Sequence, residues 1–401
     1  MTRNPILMTR RDFMKTSTVV AAAPGTSSAA APQSSAAVPM LHVTDLFRPH
    51  NDPDDHWDLA CVYALVRQGR VDLRAIMVDY PPDPRDNDPD VLGVAQMNYL
   101  TGQAVPVVVG SPRPMRSRDD TQREATPWED GGIRVLLRLL RESPRPVVIN
   151  VLGSCRDVAV AGNRDPELFA KKCAALYLNA GTGTPDRGTP NAKDRVWEPA
   201  TKAARLEYNV SLNPAAYAAL FDLPCPIYWM PCFEERPDGE QGTPQVMEFG
   251  TFYRFLQSDI LPHLSPPVKN FFAWMYKHGR AEKAGPPPGR DWLRYLLGPN
   301  DDALLAYQGA LYRNMWCTGG FFHATGLIVT RDGRIIPRAG SGQDAVFTFE
   351  PIRVQCADDG VTQWTPDARS QDRFIFRVLD RARYAAAMTA AMKTLLQTLT
   401  T

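Results

Sequence analysis

Between Thr44 and Ala60 the chain carries Asp45, Asp52, Asp54, Asp55 and Asp58, five carboxylates within fourteen positions. Like charges at this density repel. Such a cluster survives folding when a hard cation neutralises it, when one member is held protonated as an acid/base group, or when solvent screens it. The third option has a local rationale, because Asp54-Asp55 stand just before a helical pattern and Asp favours helix N-termini. Read as an EF-hand the segment fails: counting from Asp52, Trp57 occupies the glycine position and Tyr63 the position of the bidentate glutamate. Ligands would therefore come from this loop together with distant segments. His50 and His56 flank the acidic run and offer a second reading, a His/Asp transition-metal site.

The elements that would hold these side chains follow from hydrophobic periodicity. Leu41 to Thr44 reads as a short strand, Leu59 to Val66 as a helix ending at Gly69, and Leu73 to Val78 as the next strand. The alternation continues. Helical Val91 to Leu100, Ile133 to Leu140, Asp157 to Ala161, Pro166 to Lys172 and Pro214 to Phe221 are interleaved with strands at Val105 to Val109, Val147 to Leu152, Ala174 to Leu178 and Ile227 to Met230. This pattern predicts an α/β fold with a mostly parallel central sheet and helices on both faces. Ligands of such sheets bind beyond the carboxyl ends of the strands, where the acidic loop lies. From about 234 to 302 the regularity gives way to Phe-, Trp- and Pro-rich sequence, read as a helical, loop-rich insertion over the ligand edge. Strands at Leu327 to Thr330 and Phe347 to Val354 and a helix from Ala382 to Leu399 follow, and residues 38–401 read as one domain.

The first 37 residues read as an address. Thr9-Arg10-Arg11-Asp12-Phe13-Met14-Lys15 precedes a modestly apolar stretch and Ala-rich cleavage possibilities, the pattern of a twin-arginine signal peptide. The expected partner is the twin-arginine export machinery and the expected location is periplasmic or extracellular. No apolar stretch approaches the roughly 20 residues needed to span a bilayer, so no stable membrane anchor is expected. A formal charge of +1 over 401 residues gives no electrostatic case for nucleic acid. Seven cysteines without a Cys-x-x-Cys argue against a cysteine-rich metal site, and free buried thiols are expected. The chain is compatible with a homo-oligomer.

An acidic loop after the first strand, with Asp-Pro-Asp-Asp opening a helix, resembles the nucleoside hydrolase family of the inosine-uridine preferring type. Other segments agree in order. Gly153-Ser154-Cys155-Arg156-Asp157 after a strand is similar to the family's Gly-Pro-Leu-Thr-Asn turn, Glu207-Tyr208-Asn209 with Asn213-Pro214-Ala215-Ala216 is similar to its Glu-Phe-Asn and following helix, and Arg373 to Leu399 resembles its closing strand and helix. The resemblance spans about Leu41 to Leu399. It implies a calcium ion held by Asp45 and Asp55 and by the backbone oxygen of Arg156, with Asp54 as the base that deprotonates a calcium-bound water. It further implies that Glu207 and Asn209 hold ribose hydroxyls.

Two departures from the family pattern matter. The separation of Asp45 from Asp54 is longer than in the family, so Asp52 or Asp58 could replace either of these aspartates. The family's late His-Asp pair falls near Tyr312 to Ala324, where this chain has Asn314-Met315-Trp316-Cys317-Thr318-Gly319-Gly320. There His323 is the candidate acid, Asn314 or Thr318 a candidate oxygen donor, and Trp316 a surface for a base to stack on. The expected function is hydrolysis of an N-glycosidic bond, in a nucleoside or ribosyl-type compound, with a metal-activated water. The alternative is an inactive relative that binds carbohydrate or nucleoside.

Overall fold

The computed structural model describes residues 36–46, 54–80, 89–184, 206–234, 250–278, 291–339 and 344–399. The expected signal peptide, His50 and Asp52 lie outside them. The chain enters through strand β1 (Val38–Thr44), crosses through helix α1 (Asp54–Arg67) to β2 (Val71–Val78), and through α2 (Pro89–Thr101) to β3 (Val107–Val109). It returns through α3 (Gly131–Glu142) to β4 (Val147–Val151), then through α4 (Arg156–Arg164) and α5 (Pro166–Lys172) to β5 (Cys173–Asn179). Helices α6 (Tyr208–Leu212) and α7 (Pro214–Leu220) lead to β6 (Ile227–Met230).

A second stretch leaves the sheet: β7 (Tyr253–Leu256), α8 (Pro266–His278), α9 (Trp292–Leu297), α10 (Asp302–Gly309) and β8 (Tyr312–Met315), with β7 and β8 paired antiparallel. The chain closes with α11 (Thr318–Ala324), β9 (Leu327–Val329), β10 (Ile335–Pro337), β11 (Phe347–Cys356), β12 (Thr362–Pro366), β13 (Arg373–Val378) and α12 (Arg381–Leu396). All of these elements belong to the compact unit Ala36–Thr401.

The central sheet has nine strands in the order β12-β11-β13-β6-β5-β4-β1-β2-β3. From β3 to β13 every pairing is parallel, and β11 and β12 add an antiparallel edge. The parallel part is covered on both faces, which is why β4, Val147–Val151, is buried at every position and reads as a continuous apolar run. Met40, Ala175 and Tyr177 face one core, with α1, α8, α11 and α12, while Leu41, Val43, Leu176 and Leu178 face the other, with α3, α4 and α7. Local signals agree with this. Helix α3 buries Ile133, Leu136, Leu137 and Leu140 at helical spacing. Helix α5 starts with Pro166 behind the cap Asp165, whose carboxylate accepts the Leu168 N–H at 3.1 Å, and ends in Lys171-Lys172.

The 234–302 stretch is helical in α8 and α9, but α8 packs on the helical layer of one face. Phe271 stacks on His56 with ring centroids 4.1 Å apart, and Phe272 stacks on Trp57 at 3.9 Å. Phe271 and Phe272 thus fill the space beside α1, whereas Phe252 packs on Trp316 and the Tyr253 hydroxyl meets Thr318.

Candidate metal centre

Strand β1 ends at Thr44, and the backbone turns sharply there: Leu46 has φ 31°, a left-handed value that leucine seldom adopts. The Thr44 hydroxyl stabilises this turn from both sides. It accepts the Leu46 N–H at 3.3 Å and donates to Asp55 Oδ2 at 2.5 Å, where the Asp45 N–H also donates at 3.2 Å. Helix α1 then sets Asp54 and Asp55 in its first turn and Asp58 one turn on, so the three carboxylates share one side.

The opposing wall comes from the β8–α11 junction. Thr318 Oγ1 donates to Asp58 Oδ1 at 3.0 Å and lies 2.8 Å from the Tyr253 hydroxyl, while the Cys317 thiol donates to Asn179 Oδ1 at 3.2 Å and approaches Asp55 Oδ1 at 3.9 Å. One donor atom from each of Asp54, Asp55, Asp58 and Cys317 lies within 4.8 Å of all the others. The four can close around one cation.

Electrostatics sharpen the point. Burial raises the Asp55 carboxyl to about 6, with hydrogen bonds from Thr44 and Asp45 opposing the rise. Burial, and then the charge of Asp55, push Asp58 well above the usual carboxylate range, and its Oδ2 is buried with no hydrogen-bond partner among the described residues. The Cys317 thiol is pushed up by burial and by Asp58, Asp55 and Asp54. A cation among these groups would reverse each shift. The donor set meets the calcium expectation only in part, because calcium takes oxygen ligands alone and one of the four donors is a sulfur.

Around this core the other expected residues fall as follows. Asp45 is buried and touches Asp55 through its backbone and its side chain. The β4–α4 turn reaches the acidic edge through Gly153 and Ser154. The Ser154 N–H donates to Asp79 Oδ2 at 2.6 Å, and a Cβ on Gly153 would lie 2.6 Å from that oxygen and 3.0 Å from the Asp45 nitrogen. Arg156 opens α4, and its guanidinium donates to the carbonyls of Ser111 (2.6 Å) and Leu212 (3.5 Å).

Glu207 caps α6. Its carboxylate accepts the N–H groups of Gly181 (2.9 Å), Asn209 (3.1 Å) and Val210 (3.3 Å). The Asn209 amide donates to the carbonyls of Leu152 (2.8 Å) and Asn179 (3.0 Å), tying the ends of β4 and β5 together.

His323 lies on α11 away from these contacts. Its Nδ1 meets the Tyr177 hydroxyl at 2.7 Å, its Nε2 meets the Arg338 guanidinium, and burial followed by the Arg338 charge lowers its pKa to about 3. Trp316 is half-buried against Phe252 and Phe233, and its indole N–H has no partner among the described residues. His56, buried on Phe271, belongs to the core; burial lowers its pKa to about 3.

The sequence reading missed Asp79, Asn179 and Cys317. Asp79 directly follows β2 and Asn179 ends β5, positions at the carboxyl edge of a parallel sheet that a topological reading could have picked out. Cys317 lies in the segment where the resemblance implies a late His-Asp pair, and a thiol is itself a metal-ligating group. All seven cysteines are free and buried.

The model of the twin-arginine translocation pathway signal sequence matches residues 7–27. Among the described residues, no helix is long and apolar enough to cross a membrane. No curated protein matches the sequence. Among solved structures, a plant nucleoside hydrolase is similar at TM-score 0.50 and 14% identity, with 90% of this chain and 99% of that one covered. The inosine-uridine preferring nucleoside hydrolase from Bacillus anthracis aligns at TM-score 0.43 and 12% identity, covering 90% and 99%. The type III effector protein XopQ, complexed with adenosine diphosphate ribose, aligns at TM-score 0.42 and 14% identity, covering 91% and 94%. The chain is therefore an exported protein with a nucleoside hydrolase-like α/β fold, whose aspartate-rich cluster is able to hold a metal ion.

Proposed function

We propose that this exported protein binds a divalent cation among Asp54, Asp55, Asp58 and Cys317 and hydrolyses the N-glycosidic bond of a nucleoside or ribosyl-type compound. The observation that carries the reading is the convergence of these four donors within 4.8 Å at the carboxyl edge of a parallel sheet. A bound cation supplies two things: a lowered pKa for a coordinated water and a charge that gathers sugar hydroxyls.

The chain's own residues do the rest. Asp54, the least buried of the three aspartates, accepts the proton of the attacking water. The water oxygen bonds to the anomeric carbon while the carbon–nitrogen bond breaks and its electron pair leaves with the base. The carboxylates of Asp55 and Asp58 stabilise the positive charge that develops on the sugar. Calcium suits these carboxylates, and the thiol is the donor that does not fit it. Glu207 and Asn209, positioned by their bonds to backbone groups, fix the ends of β4 and β5 and are the residues offered to the ribose hydroxyls. Trp316 offers the aromatic surface next to Cys317.

A second reading, a non-catalytic binder of nucleoside or sugar, draws on a specific observation. His323 has both ring nitrogens engaged, so the leaving base has no acid from that residue. The test is release of free base from a panel of purine and pyrimidine nucleosides in the presence of added divalent cation. Release by the wild type with at least a hundredfold loss in Asp54→Asn supports hydrolysis. Cation-dependent nucleoside binding without release selects the second reading.

A further inference from the structure

We infer that the cation selected by this pocket is a thiophilic divalent ion of the zinc and cobalt class, with Cys317 as one of its ligands, and not calcium. The inference rests on the metal-binding half of the function proposed above and names the metal that site takes.

Three observations lead to it. First, among the His, Cys, Asp and Glu side chains of the described residues, those that converge are three aspartates and a cysteine, with one donor atom of each within 4.8 Å of the others. Calcium takes six to eight oxygens, whereas zinc is satisfied by about four donors drawn from nitrogen, oxygen and sulfur. Thiolate donors select zinc-like ions over calcium and magnesium. The bond lengths of a tetrahedral zinc site imply donor separations of about 3.4 to 3.8 Å, so modest side-chain rotations would close the cluster.

Second, Asp58 is wholly buried, with Oδ1 held by Thr318 and Oδ2 lacking any partner among the described residues. A buried carboxylate oxygen left open beside two other aspartates lacks a positive partner. Third, Cys317 is positioned rather than merely nearby. Its acceptor, Asn179 Oδ1, is fixed because the Asn179 amide donates to Met230 O at 2.9 Å and to Thr251 Oγ1 at 3.3 Å, and the Cys232 thiol shares that oxygen at 3.4 Å. When the metal enters, the S–H bond of Cys317 breaks, the sulfur–metal bond forms and the proton passes to solvent. Asn179 keeps Cys232 as a donor.

The test uses the full chain, reduced and stripped of metal by chelation, titrated separately with zinc, cobalt(II) and calcium. Wild type should bind zinc at least tenfold more tightly than calcium, and its cobalt form should show a near-ultraviolet thiolate-to-cobalt charge-transfer band. In Cys317→Ser the band should vanish and zinc binding weaken at least tenfold with calcium binding unchanged, while Cys317→Asp should favour calcium. A wild-type cobalt form without the band overturns the inference, and so does unchanged zinc affinity in a folded Cys317→Ser. If Cys317→Ser does not fold, the wild-type cobalt spectrum decides. Zinc held through Cys317 without base release contradicts the catalytic reading alone; base release supported by calcium and untouched in Cys317→Ser contradicts this inference alone.

Discussion

Two buried carboxylates near the same sheet edge, Asp157 on one face and Asp58 on the other, have opposite surroundings. Asp157 accepts the Ser111 N–H at 3.0 and 3.2 Å and has Arg156 and Arg164 as favourable charges. Gly110 and Gly132 make room for it, since a Cβ at Gly110 would lie 2.6 Å from its Oδ2. Asp58 has the Thr318 hydroxyl and the Cys317 thiol as its donors, one oxygen without a hydrogen-bond partner among the described residues, and the like charge of Asp55. The first is a brace completed by the protein. The second is incomplete until something positive arrives, and that difference separates a structural aspartate from a candidate ligand.

Substitution breaks the comparison most sharply. Asp157→Ala should cost about 3 kcal/mol in denaturant unfolding, with or without cation, because it leaves the buried Ser111 N–H unpaired and removes a carboxylate that the Arg156 and Arg164 charges favour. Asp58→Asn should leave the metal-free stability unchanged or raised and abolish the stabilisation by added divalent cation. A large loss for Asp58→Asn in metal-free protein would make it a brace as well.

Next in size is the pH dependence. Asp55 and Asp157 are each raised to about 6 in the folded chain, with burial the largest cause in both. A carboxyl raised on folding contributes stability that is fully present below its unfolded value of about 4 and lost as pH rises through about 6, on the order of 3 kcal/mol for each group. Metal-free protein should therefore weaken between about pH 4 and 6. Saturating cation should remove the shares of Asp55 and Asp58 and leave that of Asp157, so wild type with metal should show a shallower slope than Asp55→Asn without metal.

Smaller effects are expected at the rim. Gly153→Ala should cost about 1 to 2 kcal/mol and weaken cation binding, because the new Cβ presses on Asp79 and on the Asp45 backbone. Arg10→Lys with Arg11→Lys should leave stability unchanged and stop export, read as precursor retained in the cytoplasm.

The sheet was legible because parallel strands buried on both faces must be apolar throughout, as in Val147–Val151, and because caps and prolines mark helix starts, as at Asp165-Pro166. The half of the site on α1 was legible for the same reason: carboxylates cluster within one local segment. The other half was not, because Cys317 meets Asp55 across 262 positions and no local pattern encodes that contact. His323 illustrates the limit from the other side. Its residue type suggested chemistry, and only the fold shows it turned to Tyr177 and Arg338. The antiparallel β11–β12 edge escaped because β12, Thr362–Pro366, carries a mostly exposed, polar pattern.

The most direct test of the central claim is calorimetric titration of the metal-stripped, reduced chain with divalent cation, beside Asp58→Asn. One equivalent bound by the wild type and none by Asp58→Asn is the predicted result. No binding by the wild type, or equal binding by the variant, would contradict the assignment of the cluster as a metal centre.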